Sequence, residues 1–360
     1  MALSTIPFSG LGADASNQGV NFRNIILNGD MSIAQRGTSS SGITGDGYLT
    51  VDRFKNEMLS AGTWTQSQST DVPSGQGFAN SVKYDCTTAN ASLSAGTYGF
   101  ITQRFEGQNL QMLKFGTSSA ETLTLSFWVK SNKTGTYIAE IITFATTKSQ
   151  SQSYTISSAD TWEKKTLTFT GDTATAIANS NARSLNLIFW LVAGTNNTSG
   201  TLNTSFNTTV QANRAVGQVN LADSTDNEWY ITGVQLEVGT SASDFEFLPY
   251  DVNLNRCQRY FQKFIGGNAT AFASGAYYSS SGFLATLKYI QTMRDAPSLS
   301  TSGSFQVRSA GTNSASSIVI SGDAKTDSLS LQCTATGTAG DGGVFRPDAS
   351  GGSLSLDAEL

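Results

Sequence analysis

Two short stretches concentrate the carboxylates that acid–base chemistry could use: Glu237, Asp244 and Glu246, and Asp223, Asp226 and Glu228. A glycosidase needs two carboxyls at a fixed separation across a cleft, and nearness along the chain does not supply that separation. These six residues are therefore expected as solvated charges on loops and strand ends. The sequence contains no histidine, which removes Ser-His-Asp and Cys-His nucleophile systems, imidazole metal sites and histidine general bases. The cysteines, Cys86, Cys257 and Cys333, are far apart and form no CxxC pair, so buried thiols are expected rather than a zinc site or a disulfide framework. Gly10 and Gly12 follow no strand and open no helix, so they make no nucleotide loop, and no EF-hand pattern occurs. An enzyme is not expected.

Tryptophans offer a different chemistry, because a flat aromatic face can stack on a sugar ring while polar neighbours bind its hydroxyls. Trp190 lies in the continuous apolar run Leu187–Ala193 and is expected in the core. Trp128 and Trp162 instead fall on the polar parity of their strands, Trp128 beside Ser126 and Lys130, Trp162 beside Lys164 and Thr166. These two are the candidate ligand-binding residues. Strand tryptophans also pack across to their neighbours, and that bland reading stands beside the functional one.

The elements that would position them are short strands. In Thr122–Lys130, Leu123, Leu125, Phe127 and Val129 share one face, while Thr122, Thr124, Ser126, Trp128 and Lys130 share the other. The same alternation recurs in Ser153–Ser157, Thr166–Thr170 and Tyr230–Val238. Period-two patterns separated by Gly, Asn, Ser and Asp turns predict an all-β antiparallel sandwich over 23–250. Asn186–Gly194, with its continuous apolar run Leu187–Ala193, suits a central strand covered on both faces. Residues 251–265 read as a junction, a helical turn leading into a strand. Residues 266–360 carry further alternating segments, ending in Ser353–Leu360, and predict a second, smaller β domain. Its core is expected to be thin, and oligomerisation would stabilise it. Residues 1–22 show neither period and read as an extended attachment arm.

Of the 360 residues 48 are Ser and 44 Thr, and only 14% are charged, for a net charge of -5. A weakly acidic chain lacks the concentrated basic face that nucleic acid requires. The longest apolar run is far below the roughly 20 residues of a membrane span. The 20 Phe, 11 Tyr and 5 Trp spread along the chain argue for a folded protein rather than a disordered one.

Asn24–Gly37 (NIILNGDMSIAQRG) resembles the opening strand of jelly-roll carbohydrate-binding modules, and Tyr230–Gly239 resembles their closing strand. Such modules commonly hold a structural calcium between these strands through an acidic residue near the end. Here Thr232 and Gly233 occupy that position and Asp30 stands alone, so no metal or cofactor is expected. The order of motifs more closely resembles phage tail-fibre and related virion-appendage proteins. It runs from NGDMSIAQRG through Asp52–Phe54, QRFEGQNL, ITGVQLEVG, Phe245–Phe261 and Tyr289–Ser300 to a terminal DAEL. That resemblance implies a virion structural protein, a homotrimer, joined to other virion proteins by its N-terminal arm and facing host-surface glycan with its β domains. A head fibre or capsid decoration protein that stabilises the shell is the alternative.

Overall fold

The computed structural model describes residues 22–267 and 270–360, so the arm expected over 1–22 lies, but for Phe22, outside the described residues. The chain divides into two compact units, Met1–Pro249 and Tyr250–Leu360. Both are built from antiparallel strands, as the alternating patterns predict.

The first unit contains β1 (Ser39–Ile43), β2 (Gly47–Tyr48), β3 (Lys55–Leu59), β4 (Thr63–Ser69), β5 (Ser81–Thr88), β6 (Tyr98–Glu106) and β7 (Leu123–Ser131). It continues with β8 (Gly135–Thr143), β9 (Lys148–Ile156), β10 (Glu163–Phe169), β11 (Arg183–Ala193), β12 (Asn207–Thr208) and β13 (Glu228–Val238). Two sheets form, in the orders β1-β4-β5-β13-β7-β10 and β12-β9-β8-β11-β6-β3-β2. Within them β5-β13-β7-β10 faces β6-β11-β8-β9, and the pairs β5–β13, β6–β11, β7–β10 and β8–β9 are each antiparallel. An eight-stranded hairpin wound on itself in this order is a jelly roll.

The core between the sheets follows from the alternation. Leu123, Leu125, Phe127 and Val129 of β7 have no exposed surface, and they meet Leu187, Phe189 and Leu191 of β11. Trp64 and Trp229 are also fully buried there. Burying side chains of this size contributes about 1.5–3 kcal/mol each, which offsets the entropy of ordering short strands. β11 is covered on its other face as well. Ile188 and Trp190 pack with Phe100 and Ile138 in a second apolar cluster outside that sheet. This double covering explains a strand with no polar alternation.

The segment expected as an opening strand is not a strand. Residues 24–32 run irregularly beside β13, with Asn28 and Met31 in the left-handed region. Side chains replace ladder bonds: the Asn24 carboxamide donates to Val234 O at 3.1 Å and accepts from Leu236 N at 3.1 Å. Polar side chains this close to the backbone compete with regular pairing.

The second unit opens with the helix Tyr250–Gln258, followed by β14 (Phe261–Gly266), β15 (Ala273–Tyr277), β16 (Gly282–Lys288) and β17 (Ser298–Arg308). It closes with β18 (Thr312–Ile320), β19 (Ser328–Thr334) and β20 (Gly342–Asp357). The segment read as a junction is thus a two-turn helix and a strand belonging to this unit's sheet. β17 pairs with both β18 and β20, so β20-β15-β16-β19-β18-β17 closes into a six-stranded barrel. β20 is long enough, at 16 residues, to serve two partners: Gly342–Phe345 pairs with β15, and Gly352–Asp357 pairs with β14. The β17–β20 register shifts between Gly303 and Phe305; Gly303 adopts φ 87°, and a Cβ on it would lie 2.5 Å from Gly351 O. Closure pairs β17 with β20, leaving β14 as the sheet's edge strand, and lets a small core fill, with Phe283, Val307, Leu331 and Phe345 fully buried inside.

Candidate functional site

The outer face of the six-stranded sheet in the first unit presents rows of side chains set by register. Across β10, β7 and β13, Lys164 stands opposite Trp128, and Trp128 opposite Thr232. One row further, Lys130 stands opposite Tyr230, which stands opposite Lys83 on β5. Trp162, just before β10, falls beside this second row. The parity read from the sequence is therefore correct for both tryptophans: they lie on the outer face, half-buried, two residues apart along the strands.

Their surroundings differ. Trp162 is held in a polar web, its Nε1 donating to Asp71 Oδ1 at 2.9 Å and its ring set edge-on to Tyr230 at 6.1 Å. Lys130 donates to Asp71 and lies 4.3 Å from the Tyr230 ring centroid. Tyr230 donates to Glu228, which also pairs with Lys83 at 3.0 Å. Partial burial pushes the Asp71 carboxyl up, but the hydrogen bonds from Lys130 and Trp162 outweigh it and leave it below its usual value. Glu228 follows the same logic, with Tyr230 and Lys83 outweighing burial. Burial first, and the Glu228 carboxylate second, push the Tyr230 phenol well up. Every charge in this web is already matched.

Trp128 instead lines a pocket of about 320 Å³. Phe78, Phe245 and Phe247 wall it, and Ser126, Lys164 and Asp244 also line it. The three phenyl rings form a mutually tilted cluster with centroids 4.8 to 5.1 Å apart. Phe247 remains 51% exposed, so the cluster is open to solvent rather than sealed as core.

Two devices assemble this pocket. The first is a bulge in β13 between Thr232 and Gln235, where Gly233 adopts φ 62° and Phe78 packs directly on its bare backbone. A bulge re-aims side chains without breaking the sheet. The second is a clamp on the segment after β13. The Gln235 carboxamide accepts from Glu246 N at 2.8 Å and donates to Asp244 O at 3.2 Å. Glu237 accepts from Ser243 N at 2.8 Å, and Arg23 donates to Asp244 O at 2.5 Å. This clamp lays Phe245 and Phe247 over the sheet.

The carboxylates considered for catalysis are mostly engaged elsewhere. Glu237 is buried at 2% exposure, not solvated, because it holds the clamp. Glu246 accepts from the backbone N–H of Phe22 at 2.7 Å and of Asn24 at 2.9 Å. Asp223 is paired with Lys133 at 2.5 Å and accepts from Asn227. Among the described residues no group of three or more Cys, Asp or Glu is arranged to hold a metal ion. All three cysteines are buried thiols outside any disulfide, and burial pushes the Cys86 and Cys333 thiols up to about 11.

Sequence reasoning placed Trp128 but missed its partners. Phe78, Phe245 and Phe247 lie in connecting segments with no regular period, and only Phe245 and Phe247, spaced by two, carried a signal of a shared face.

No family model matches the chain, and no curated protein does. Among solved structures it is similar to the enzymatically active domain of tailspike protein 4 of bacteriophage CBA120 (15% identity, TM-score 0.32). That likeness covers 60% of this chain and 22% of the tailspike chain. A putative sugar binding protein from Bacteroides thetaiotaomicron VPI-5482 is similar at 12% identity and TM-score 0.33, covering 60% of this chain and 100% of that one. The CBM22-2 xylan-binding domain from Paenibacillus barcinonensis Xyn10C is similar at 14% identity and TM-score 0.28, covering 59% and 97%.

Proposed function

We propose that this protein binds glycan through the Trp128 pocket and serves as a phage virion structural protein, a tail fibre or receptor-binding appendage that attaches to the host surface. The carrying observation is a half-buried tryptophan on an outer sheet face, walled by three phenylalanines and flanked by hydroxyl and charged groups. Concave, largely aromatic sites with a few polar groups suit sugars, whose rings have apolar faces and polar rims. Trp162, one row along the sheet, extends this platform for a longer chain. The engagement of Glu237, Glu246 and Asp223 in structural bonds supports binding over bond cleavage.

The virion assignment is supported by the order of sequence motifs from NGDMSIAQRG to DAEL. In this reading three copies assemble, the N-terminal arm joins other virion proteins, and no cofactor takes part. Repeated weak sites on one particle gain avidity through effective concentration. A glycan array of host envelope polysaccharides tests the binding. Trp128→Ala is expected to lose about tenfold in affinity, a loss of ~1.4 kcal/mol, with its melting temperature preserved. Equal affinity in the variant sinks the site. Antibody labelling tests the placement, and label on the head with undisturbed adsorption sinks the tail reading.

A further inference from the structure

The pocket carries two opposite charges that do not neutralise each other. The first unit has eight lysines, and seven of them, Lys164 excepted, lie within 4.0 Å of a carboxylate. Lys164 has no such partner among the described residues, although it stands directly across from Trp128 and lines the pocket. Asp244 lines the same pocket. Its backbone carbonyl is held by Arg23 and Gln235, but its carboxylate takes no hydrogen bond or ion pair among the described residues. In a chain only 14% charged, and in a unit so consistent in pairing its lysines, two open charges lining one cavity are complementary to a ligand and not to each other.

We infer that the pocket takes a zwitterionic stretch of glycan, one that carries, on the same or adjacent sugars, an anionic group received by Lys164 and an ammonium received by Asp244 beside the phenylalanine cluster. This inference rests on the glycan-binding reading. A flat sugar face on Trp128 would place its substituents toward the two charged rims. The ammonium end gains twice, from the Asp244 carboxylate and from the faces of Phe245 and Phe247, since a cation within about 6 Å of a ring centroid is attracted by it. A purely acidic sugar would leave Asp244 repelling it, and a purely basic one would face Lys164. Opposite charges at two fixed points also set the direction in which the sugar lies, giving specificity as well as affinity.

The test compares four sets of oligosaccharides on the full chain by calorimetry: cello-oligosaccharides (neutral), hyaluronan (carboxylate only), chitosan (ammonium only) and de-N-acetylated hyaluronan (both). The fourth is expected to bind at least about tenfold tighter than the others, with the advantage shrinking as salt screens these exposed charges. Lys164→Gln is expected to bring its affinity down to that of chitosan, and Asp244→Asn down to that of hyaluronan. Neutral chains binding as tightly as the charged ones, or variants that leave the ranking unchanged, would overturn the inference while leaving glycan binding in place. Failure of all four sets and of the envelope array would overturn the glycan reading itself.

Discussion

The Phe78 ring lies on the bare backbone of Gly233, so close that a Cβ at that position would sit 2.6 Å from Phe78 Cζ. This contact joins the connection between β4 and β5 to the bulge of β13, and both walls of the pocket depend on it. Gly233→Ala meets two obstacles, a φ of 62° and an occupied space. It is expected to destabilise the first unit by about 2 kcal/mol and to weaken glycan binding with it. A urea titration that shifts by less than about 0.5 kcal/mol would show that the ring relaxes freely.

The two tryptophans should separate by ligand length. Trp128→Ala is expected to weaken a single sugar unit and a long chain alike, whereas Trp162→Ala weakens only the long chain, by about tenfold. Trp162→Phe keeps an aromatic face but loses the donor to Asp71, so it should recover most of that loss. Affinities measured against chain length decide this. If Trp162→Ala changes nothing at any length, this residue serves only the Asp71–Lys130–Tyr230 web.

Glu140 has no exposed side-chain surface; it accepts from Arg214 at 2.9 Å and from Trp190 Nε1 at 3.1 Å. Removing one member of a buried pair leaves the other charged and desolvated. Glu140→Ala should therefore cost about 3 kcal/mol, while replacing both Glu140 and Arg214 by Met should cost much less. Denaturation midpoints of the single and double variants check this, and equal losses would contradict it.

Stability should fall in acid. Burial pushes the Asp172 carboxyl up, but hydrogen bonds and charge from Lys148 outweigh it and hold the group below 3.8. Asp71, Glu163, Asp223 and Glu228 are held down in the same way. A carboxyl depressed on folding contributes stability above its unfolded value, and loses it as pH falls through the folded one. The loss should begin near 4.5 for the glutamates and 3.8 for the aspartates. Asp52 acts oppositely: burial raises it, so acid relieves a penalty there and makes the decline shallower. No imidazole exists to add a titration near pH 6.5. Chemical denaturation of Lys148→Met against the parent should show a gap that is constant at neutral pH and closes below 3.8. A gap independent of pH would remove Asp172 from the account.

Much of the sandwich was legible because alternation is a local property. A strand's side chains switch faces at every residue, so Trp128 and Trp162 could be placed outside and Leu125 and Phe127 inside from β7 and the residues leading into β10 alone. Trp190 was readable as buried for a related reason, since no polar residue interrupts its run. The segment 24–32 misled because Ile25, Ile26 and Leu27 look like strand, while Asn24 and Asn28 redirect the backbone through their own side chains.

By itself the sequence determined most of the sandwich strands, their faces and the absence of imidazole chemistry, since each follows from residue type and a period of two. Only the tertiary structure decided where a ligand can sit. The pocket needs Phe78, Trp128, Lys164 and Asp244, far apart along the chain, and it exists because register sets Lys164 across from Trp128 while one bulge admits Phe78. Barrel closure through β17 and β20 was decided there too. Register and bulges are set by how distant strands pack together, which no local pattern records.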